Sequence, residues 1–304
     1  MGEAALENIF AFWPLPAAAL LLLLLGAMGW LGRDTFDHAP HRAAGLQPLD
    51  LLIGLAILMA GSQFALLAQR LLALHPEANG TGLQQAAATL LGQVIGQGPV
   101  VVYVLVRVRR QPRGPKEFGL TPRQPRRELV AAIVGLVVSL PLVFAANWVC
   151  VVIGSLIGHP APVDELGHDM LRAMRQADSH VALALMISSA VIVAPLLEEI
   201  FFRGLVQTTL LELFGRKRRW TAILLASLAF VVPHIGTGAW HVLPGLLVLA
   251  MLLGWLYERT GSLLPCVLAH IAFNGLNIVL AFGKPVSMDA AAALGLSVVG
   301  GHWF

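Results

Sequence analysis

Residues 129–157 have the sequence LVAAIVGLVVSLPLVFAANWVCVVIGSLI, which contains no acidic or basic side chain. A helix needs about 20 mostly apolar residues to cross the hydrocarbon core of a bilayer, because each residue advances it by only about 1.5 Å. This stretch is long enough to cross, so it indicates a transmembrane helix.

Similar apolar stretches recur along the whole chain. Charged residues make up 12% of the sequence and hydrophobic residues 57%, whereas a typical soluble domain carries about 25% charged residues. The sequence therefore predicts an all-α fold, a polytopic membrane bundle of about eight transmembrane helices. The predicted spans are 12–31, 50–69, 86–106, 129–157, 181–213, 220–233, 242–257 and 263–283.

The basic residues are unevenly distributed between these spans. With eight spans, 15 of the 20 Lys and Arg residues fall on one face, mainly in the segments 107–127 and 214–219. Loops rich in Lys and Arg stay in the cytoplasm, so we expect this face to be cytoplasmic and both termini to lie on the opposite side. The net charge of +3 thus reflects topology, and it gives no reason to expect a nucleic-acid partner. We expect the loop 158–180, on the far side, to be a solvated connector, with a short surface helix as the alternative.

Ionisable residues inside the predicted spans are concentrated in the second half of the chain. They are costly at membrane depth and therefore mark candidate functional sites. The fifth span contains Glu198-Glu199-Ile-Phe-Phe-Arg203, in which Glu199 and Arg203 are spaced i,i+4 and can pair on one helix face. Glu198 has no equally good local partner, and a desolvated carboxylate of this kind suits a general base. Pro195 has no N–H and is expected to free the carbonyl of Val191.

Two further polar elements follow. The sixth span ends in Phe230-Val-Val-Pro-His234, and the eighth contains His270-Ile-Ala-Phe-Asn274. His270 and Asn274 are spaced i,i+4, so they share a helix face, and two neutral donors side by side are what a developing oxyanion needs. For each element the structural alternative is a buried network that fixes helix packing.

Taken together, the three elements resemble the CAAX-prenyl-protease and bacteriocin-processing family, also called the type II CAAX or Abi proteins. The similarity covers about residues 194–280 and includes Gly-Ser-Leu-Leu-Pro before the last element. The family's motif maps onto this chain without substitution, at Glu198, Glu199, Arg203, Phe230, His234, His270 and Asn274. The resemblance implies an intramembrane glutamic endopeptidase, in which residues 1–127 form N-terminal helices with a basic loop and residues 128–304 form the catalytic core.

The same residues suit amide hydrolysis by an activated water. No Ser-His or Cys-His arrangement suggests a covalent nucleophile. We expect Glu198 to act as the base, His234 to orient the water, and His270 and Asn274 to stabilise the oxyanion. Glu199, Arg203 and Phe230 would support the site, with Glu199 and Arg203 also able to bind a substrate terminus. On straight helices, however, Glu198 and His234 would lie about 10 Å deeper than His270.

Several alternatives remain open at this stage. No cofactor is expected, although two His and one Glu also form a known catalytic zinc set. A non-catalytic scaffold or immunity protein, or a transporter with a proton relay, are the other two classes. The expected partners are the lipid bilayer and a peptide or membrane-protein substrate, lipidated or not. The expected location is a prokaryotic plasma membrane.

Overall fold

A computed structural model describes residues 14–37, 39–40, 45–72, 74, 81–112, 114–159, 169–236 and 240–282. The described residues form an all-helical protein without strands, which confirms the predicted fold class. The expected positions of both termini, and those of Arg42, Arg113, Asp164, Glu165 and Lys284, fall outside the described residues.

The described residues contain eight principal helices, which correspond roughly to the predicted spans. Six of them are long and apolar enough to cross a membrane, and two are shorter apolar helices. The short ones include the sixth predicted span, which the sequence also identifies as short. In chain order they are α1 (Pro14–Ala27), α2 (Pro48–Leu71), α3 (Gly82–Arg109), α4 (Pro125–Leu156), α5 (His180–Phe214), α6 (Arg219–Val231), α7 (Leu243–Thr260) and α8 (Leu264–Phe282).

The loops rich in Lys and Arg meet at one end of the bundle, which we call the basic end. Leu263 N, just before α8, donates to Gly119 O at 3.0 Å. Ser262 Oγ donates to Glu128 Oε2 at 2.9 Å, which joins the start of α4 to the start of α8. Arg219 Nη1, at the start of α6, donates to Phe36 O at 3.1 Å.

The opposite end, which we call the far end, is joined by a separate set of contacts. Gly245 N, near the start of α7, donates to Asn147 Oδ1 in α4 at 2.8 Å. Gly82 N, at the start of α3, donates to Asp178 Oδ2 just before α5 at 3.3 Å. The two ends of the bundle are therefore chemically distinct, as the distribution of basic residues predicts.

The main hydrophobic core lies between α5, α6, α7 and α8, toward the basic end. Phe118 and Tyr257 are fully buried there, and Tyr257 Oη donates to Phe118 O at 2.8 Å. Gly204 in α5 faces the Phe118 ring so closely that a Cβ at this position would overlap it. The glycine therefore allows the loop after α3 to pack directly against the helix that carries the motif glutamates.

The connection before α5 is more than a solvated connector. Asp169–Arg175 form a short helix, and we call it the connecting helix. Its Leu171 and Met174 are buried against Met186 of α5. The expectation of a solvated loop was therefore wrong for this part, because an amphipathic turn within 158–180 has an apolar side that packs on the bundle.

Candidate active site

Helix α5 carries the motif glutamates, and it is not a regular α-helix. It contains two π-helical segments, Ser189–Val193 and Ile200–Gln207, on either side of the α-helical Ala194–Glu199. A π-helical insertion shifts the residues after it round the helix axis, and such segments are frequent at functional sites. The first segment therefore affects which way Glu198 and Glu199 point, and the second affects only the residues after them.

Pro195 explains a contact between α5 and α8. In the first π-helical segment Ala194 N donates to Ser189 O, five residues earlier. In the same register Ala190 O would face the N–H of residue 195, and proline has none. Asn274 Nδ2 of α8 donates to Ala190 O instead, at 2.9 Å. The carbonyl freed by Pro195 is thus that of Ala190 and not that of Val191, because the local register is π and not α.

Glu199 lies at the centre of a buried ion-pair group. Its Oε2 is 3.1 Å from Arg203 Nε, and its Oε1 is 2.9 Å from His270 Nδ1 of α8. The side chains of Glu199, Arg203 and His270 are 0%, 1% and 3% exposed. Arg203 Nη2 also donates to Ala250 O of α7 at 3.0 Å. The i,i+4 pair predicted from the sequence is therefore present, and it joins α5 to α7 and α8.

Glu198, the neighbouring residue, faces a cavity. The cavity has a volume of about 280 Å³ and lies between α5, α6 and α8, which carry the three motif elements; α3, α4, α7 and the connecting helix also line it. The Glu198 side chain is 15% exposed, and its Oε2 lies 3.9 Å from His270 Nε2. That distance is too long for a direct hydrogen bond, so the Glu198 carboxylate remains available to a molecule in the cavity.

The partners of His270 fix its hydrogen-bonding roles. Glu199, held by Arg203, is an ionised acceptor, so the proton between Glu199 and His270 belongs to Nδ1. A neutral His270 therefore presents a lone pair at Nε2, and it can donate into the cavity only as an imidazolium. With His270 protonated, the charges of Glu198, Glu199, Arg203 and His270 sum to zero, which lowers the cost of burying them together.

Phe230 separates the two motif histidines. Its buried ring lies 4.9 Å from the His234 ring and 5.9 Å from the His270 ring, centroid to centroid. The Arg203 guanidinium carbon is 4.9 Å from the centroid of the Phe230 ring. His234 Nδ1 is 2.8 Å from Phe230 O, and because a carbonyl only accepts, Nδ1 carries the proton and Nε2 of the neutral ring is an acceptor.

The apparent 10 Å difference in depth between the motif residues disappears in the folded chain. Thr208 Oγ1 of α5 lies 3.2 Å from Tyr257 Oη, and Tyr257 contacts the loop against which α8 begins. Helix α8 therefore starts level with Thr208, six residues before α5 ends at Phe214. Since α5 extends beyond the start of α8, Glu199 and His270 meet without a break in either helix.

All seven motif residues thus lie in or directly behind one cavity. Five of them line it: Glu198, Phe230, His234, His270 and Asn274. Glu199 and Arg203 lie behind His270.

The sequence did not assign Asn277 to the site. The i,i+7 spacing from His270 was the available signal for it, because residues at this spacing share a helix face. Gln93 and Asn147, which lie outside the three motif elements, also line the cavity.

The described residues contain no group of three or more His, Cys, Asp or Glu side chains placed to hold one metal ion. The two carboxylates and His270 are close together, but Glu199 is already paired with Arg203. The donors available around the cavity therefore do not form the three-ligand arrangement of a catalytic zinc site.

The helices that are able to cross a membrane show that this is an integral membrane protein. Its candidate active site, with one carboxylate and two histidines, is enclosed between these helices. A comparison of the chain with known protein families gives one match. Residues 180–276 match the family described as Rce1-like, type II CAAX prenyl endopeptidase. No curated protein and no solved structure matches the chain.

The match includes every motif residue from Glu198 to Asn274 and confirms the resemblance over this third of the chain. Over these residues the chain is similar to membrane proteases of the CAAX type, which are hydrolases.

Proposed function

We propose that this protein is an intramembrane glutamic endopeptidase in which Glu198 activates a water molecule. The observation that supports this proposal most directly is the contrast between the two adjacent glutamates. Glu199 is fully buried and paired with Arg203, whereas Glu198 lines the cavity and its Oε2 lies 3.9 Å from His270 Nε2, too far for a direct hydrogen bond. A carboxylate in that position can accept a proton from water.

The water would lie between Glu198 and the histidines. Glu198 Oε2 and His270 Nε2 are 3.9 Å apart, so a water oxygen placed beside both atoms reaches each at about 2.8 Å. His234 lines the same cavity, and its Nε2 is an acceptor in the neutral ring. It therefore accepts a hydrogen bond from the second O–H of the water, which keeps that proton, and this contact orients a water lone pair toward the substrate carbonyl.

Two donors would stabilise the oxyanion. Asn274 Nδ2 uses one proton for Ala190 O and has a second for the cavity. Because its Nδ1 is directed at Glu199, His270 donates from Nε2 in this scheme as an imidazolium. This changes the sequence-based expectation in one respect: His270 acts as a cation and not as a neutral donor.

In the reaction the water oxygen forms a bond to the carbonyl carbon, and its proton passes to Glu198. Collapse of the tetrahedral intermediate breaks the C–N bond, and Glu198 returns the proton to the leaving amine. The products are a carboxylic acid and an amine, and no covalent enzyme intermediate or cofactor is required.

Glu199 and Arg203 act as positioning residues in this scheme. The sequence suggested that Arg203 could bind a substrate terminus. Arg203 is, however, 1% exposed and does not line the cavity, so it is unsuited to that role. Instead, Glu199 holds the Nδ1–H of His270, and Arg203 holds Glu199.

The proposal includes location and partners. The basic loops 107–127 and 214–219 face the cytoplasm of a prokaryotic cell, and the protein lies in its plasma membrane. The substrates are peptides or membrane proteins, including lipidated ones, that reach the cavity from the bilayer or its surface.

The test is cleavage of a peptide panel by detergent-purified protein. The panel includes farnesylated C-terminal peptides, Gly-Gly leader peptides and apolar membrane-anchored peptides. We expect Glu198→Gln to reduce cleavage by about 10²–10⁴-fold, the usual contribution of a general base, with unchanged folding. Glu117→Gln, a carboxylate outside the cavity, is the matched control.

Zinc chelation is the second arm of this test. We expect a chelator to leave cleavage unchanged. Loss of cleavage on chelation, restored by added zinc, would favour a zinc peptidase. Equal cleavage by wild type and Glu198→Gln would refute the assignment of the base.

A further inference from the structure

A second cavity, separate from the one that contains Glu198, lies between α1, α4, α6 and α7. Its volume is about 180 Å³. None of the 13 described residues that line it is charged, and the only side-chain N–H groups among them belong to three tryptophans. An apolar cavity of this size stays dry and takes apolar molecules in place of water. The lining therefore fits a hydrocarbon ligand.

This cavity borders the surface that faces the bilayer. Leu22 of α1, Leu31 just after α1 and Val134 of α4 all line it, and all three are exposed. Exposed apolar side chains on helices of a membrane bundle lie against lipid. An acyl chain of a membrane lipid can therefore enter the cavity from the side without leaving the hydrocarbon.

Three tryptophans in the lining indicate its depth. Trp255 lies five residues before α7 ends at the basic end, about 7.5 Å along the helix axis. Its ring is 5.4 Å from that of Trp30, centroid to centroid, and Trp220 is in the first turn of α6 at the same end. Tryptophan is enriched where the hydrocarbon meets the headgroups. This part of the cavity therefore lies at the level of the ester groups of a glycerophospholipid.

One of these tryptophans has an unused donor. Trp255 Nε1 is buried and has no hydrogen-bond partner among the described residues, whereas Trp220 Nε1 donates to Gly32 O at 3.4 Å. An indole nitrogen only donates, and a buried donor without an acceptor is unfavourable. The carbonyl oxygen of an acyl ester would accept from Trp255 while its chain fills the apolar space.

Cationic side chains lie beside the tryptophans at the basic end. The Arg259 guanidinium carbon is 5.9 Å from the centroid of the Trp30 ring. Lys217 and Arg218 directly precede α6 and are exposed. Positive charges at the membrane surface attract anionic lipid headgroups, so this arrangement favours a lipid with a net negative charge.

We infer that the second cavity binds one acyl chain of an anionic glycerophospholipid. Trp255 donates to the ester carbonyl of that chain, and the cations of the basic end surround the phosphate. The lipid lies on the side of α7 opposite Ala250, whose carbonyl accepts from Arg203. The inference goes beyond the proposed hydrolysis and does not depend on it.

Native mass spectrometry of the detergent-purified, delipidated protein tests this binding. The protein is titrated with phosphatidylglycerol and, separately, with phosphatidylcholine of the same acyl chains. We expect one tight phosphatidylglycerol per chain, bound at least about fivefold more tightly than phosphatidylcholine, the value of one Lys or Arg near an anionic headgroup.

A bulky side chain in the cavity should remove the tight site. Val138 lines the cavity, and Val138→Trp fills it. Val137→Trp is the matched control, because Val137 is the next residue in α4, is 62% exposed and is not part of the lining. Equal phosphatidylglycerol affinity in the two variants would overturn the inference, as would the absence of a saturable site in the wild type.

Two further variants test the polar contacts without adding bulk, and they decide the question if Val138→Trp does not fold. Trp255→Phe should weaken phosphatidylglycerol binding by about threefold to tenfold, the value of one hydrogen bond. Trp240→Phe, outside the lining, should leave it unchanged. Lys217→Gln/Arg218→Gln should lower the affinity for phosphatidylglycerol toward that for phosphatidylcholine.

Each contact can fail separately in these titrations. An unchanged affinity in Trp255→Phe would overturn the assignment of the ester carbonyl to the indole N–H. Equal binding of the two lipids by the wild type would overturn the anionic headgroup. Because the readout is lipid binding, none of these results depends on Glu198 or on cleavage.

Discussion

At the scale of single residues, Glu199 and Arg203 form a pair whose separation should be costly. Glu199→Gln leaves the Arg203 guanidinium buried without its counter-charge, and breaking a buried pair from one side costs about 3–5 kcal/mol. We expect the free energy of unfolding, measured by SDS titration in mixed micelles, to fall by about that amount. The double variant Glu199→Gln/Arg203→Met should regain most of the stability, because no buried charge is left unpaired.

Cleavage should not return with stability in the double variant. In both variants His270 Nδ1 has lost the carboxylate that accepts from it, so the ring is no longer held in position. Recovery of stability and activity together would indicate that Glu199 serves packing alone.

The sequence predicted the Glu199–Arg203 pair because both residues belong to one helix, where the spacing alone determines that they share a face. It did not predict that His270 donates to Glu199, since that contact crosses from α8 to α5 and depends on the helix packing. The protonation state of His270 follows from this contact and so could not be predicted either. Asn277 was missed because its i,i+7 spacing from His270, the one available signal, does not distinguish it from a residue that packs between helices.

At the scale of helices, the irregular register of α5 should matter for catalysis. In Pro195→Ala, residue 195 regains an N–H that competes with Asn274 Nδ2 for Ala190 O. Asn274 then loses the bond that orients it, and we expect kcat to fall by up to about 100-fold, as for a misplaced oxyanion donor. Removing a proline from a helix interior should at the same time leave the thermal stability unchanged or raise it.

Pro141→Ala in α4 is the matched control. Pro141 also lies inside a helix but does not line the cavity, so this variant should change stability without lowering kcat. Equal kcat values for wild type and Pro195→Ala would show that Ala190 O does not position Asn274.

The helices themselves were largely predictable, since long apolar runs have few alternatives in a bilayer. Their length was informative too: the long fifth span and the short sixth span are both observed. The two π-helical segments of α5 were not predictable, because no residue type specifies them. The first segment lies at the contacts of Ser189 with Gln93 and of Ala190 with Asn274, which exist only in the folded bundle.

At the scale of the whole molecule, the family match begins at residue 180, yet earlier helices complete the site. Gln93 of α3 lines the cavity and accepts from Ser189 Oγ at 2.8 Å. Phe118, from the loop after α3, packs on Gly204 of α5. The boundary expected from the sequence, a core of residues 128–304, remains a prediction, and these contacts argue that such a core is incomplete on its own.

Helix α1 has a different relation to the site. It packs beside α4, where Leu22 and Leu25 line an apolar cavity of about 180 Å³ that is separate from the one containing Glu198. Only Pro14, Ala18 and Leu25 of α1 are buried, and none of its residues lines the motif cavity.

Two truncations therefore have different expected outcomes. A chain that begins at Gly29 lacks α1 but keeps Trp30 on Trp255 and Phe36 on Arg219, and it should insert into membranes and retain cleavage. A chain that begins at Glu128 lacks Gln93 and Phe118 and leaves Gly204 facing a void, so it should lose cleavage and unfold at lower SDS fractions. Cleavage and unfolding by SDS are measured for both truncated chains in the same detergent, with the full chain and Glu198→Gln as references. Cleavage by the shorter chain would show that residues 128–304 are an independent catalytic unit, whereas loss of cleavage in the longer one would show that α1 supports the site through α4.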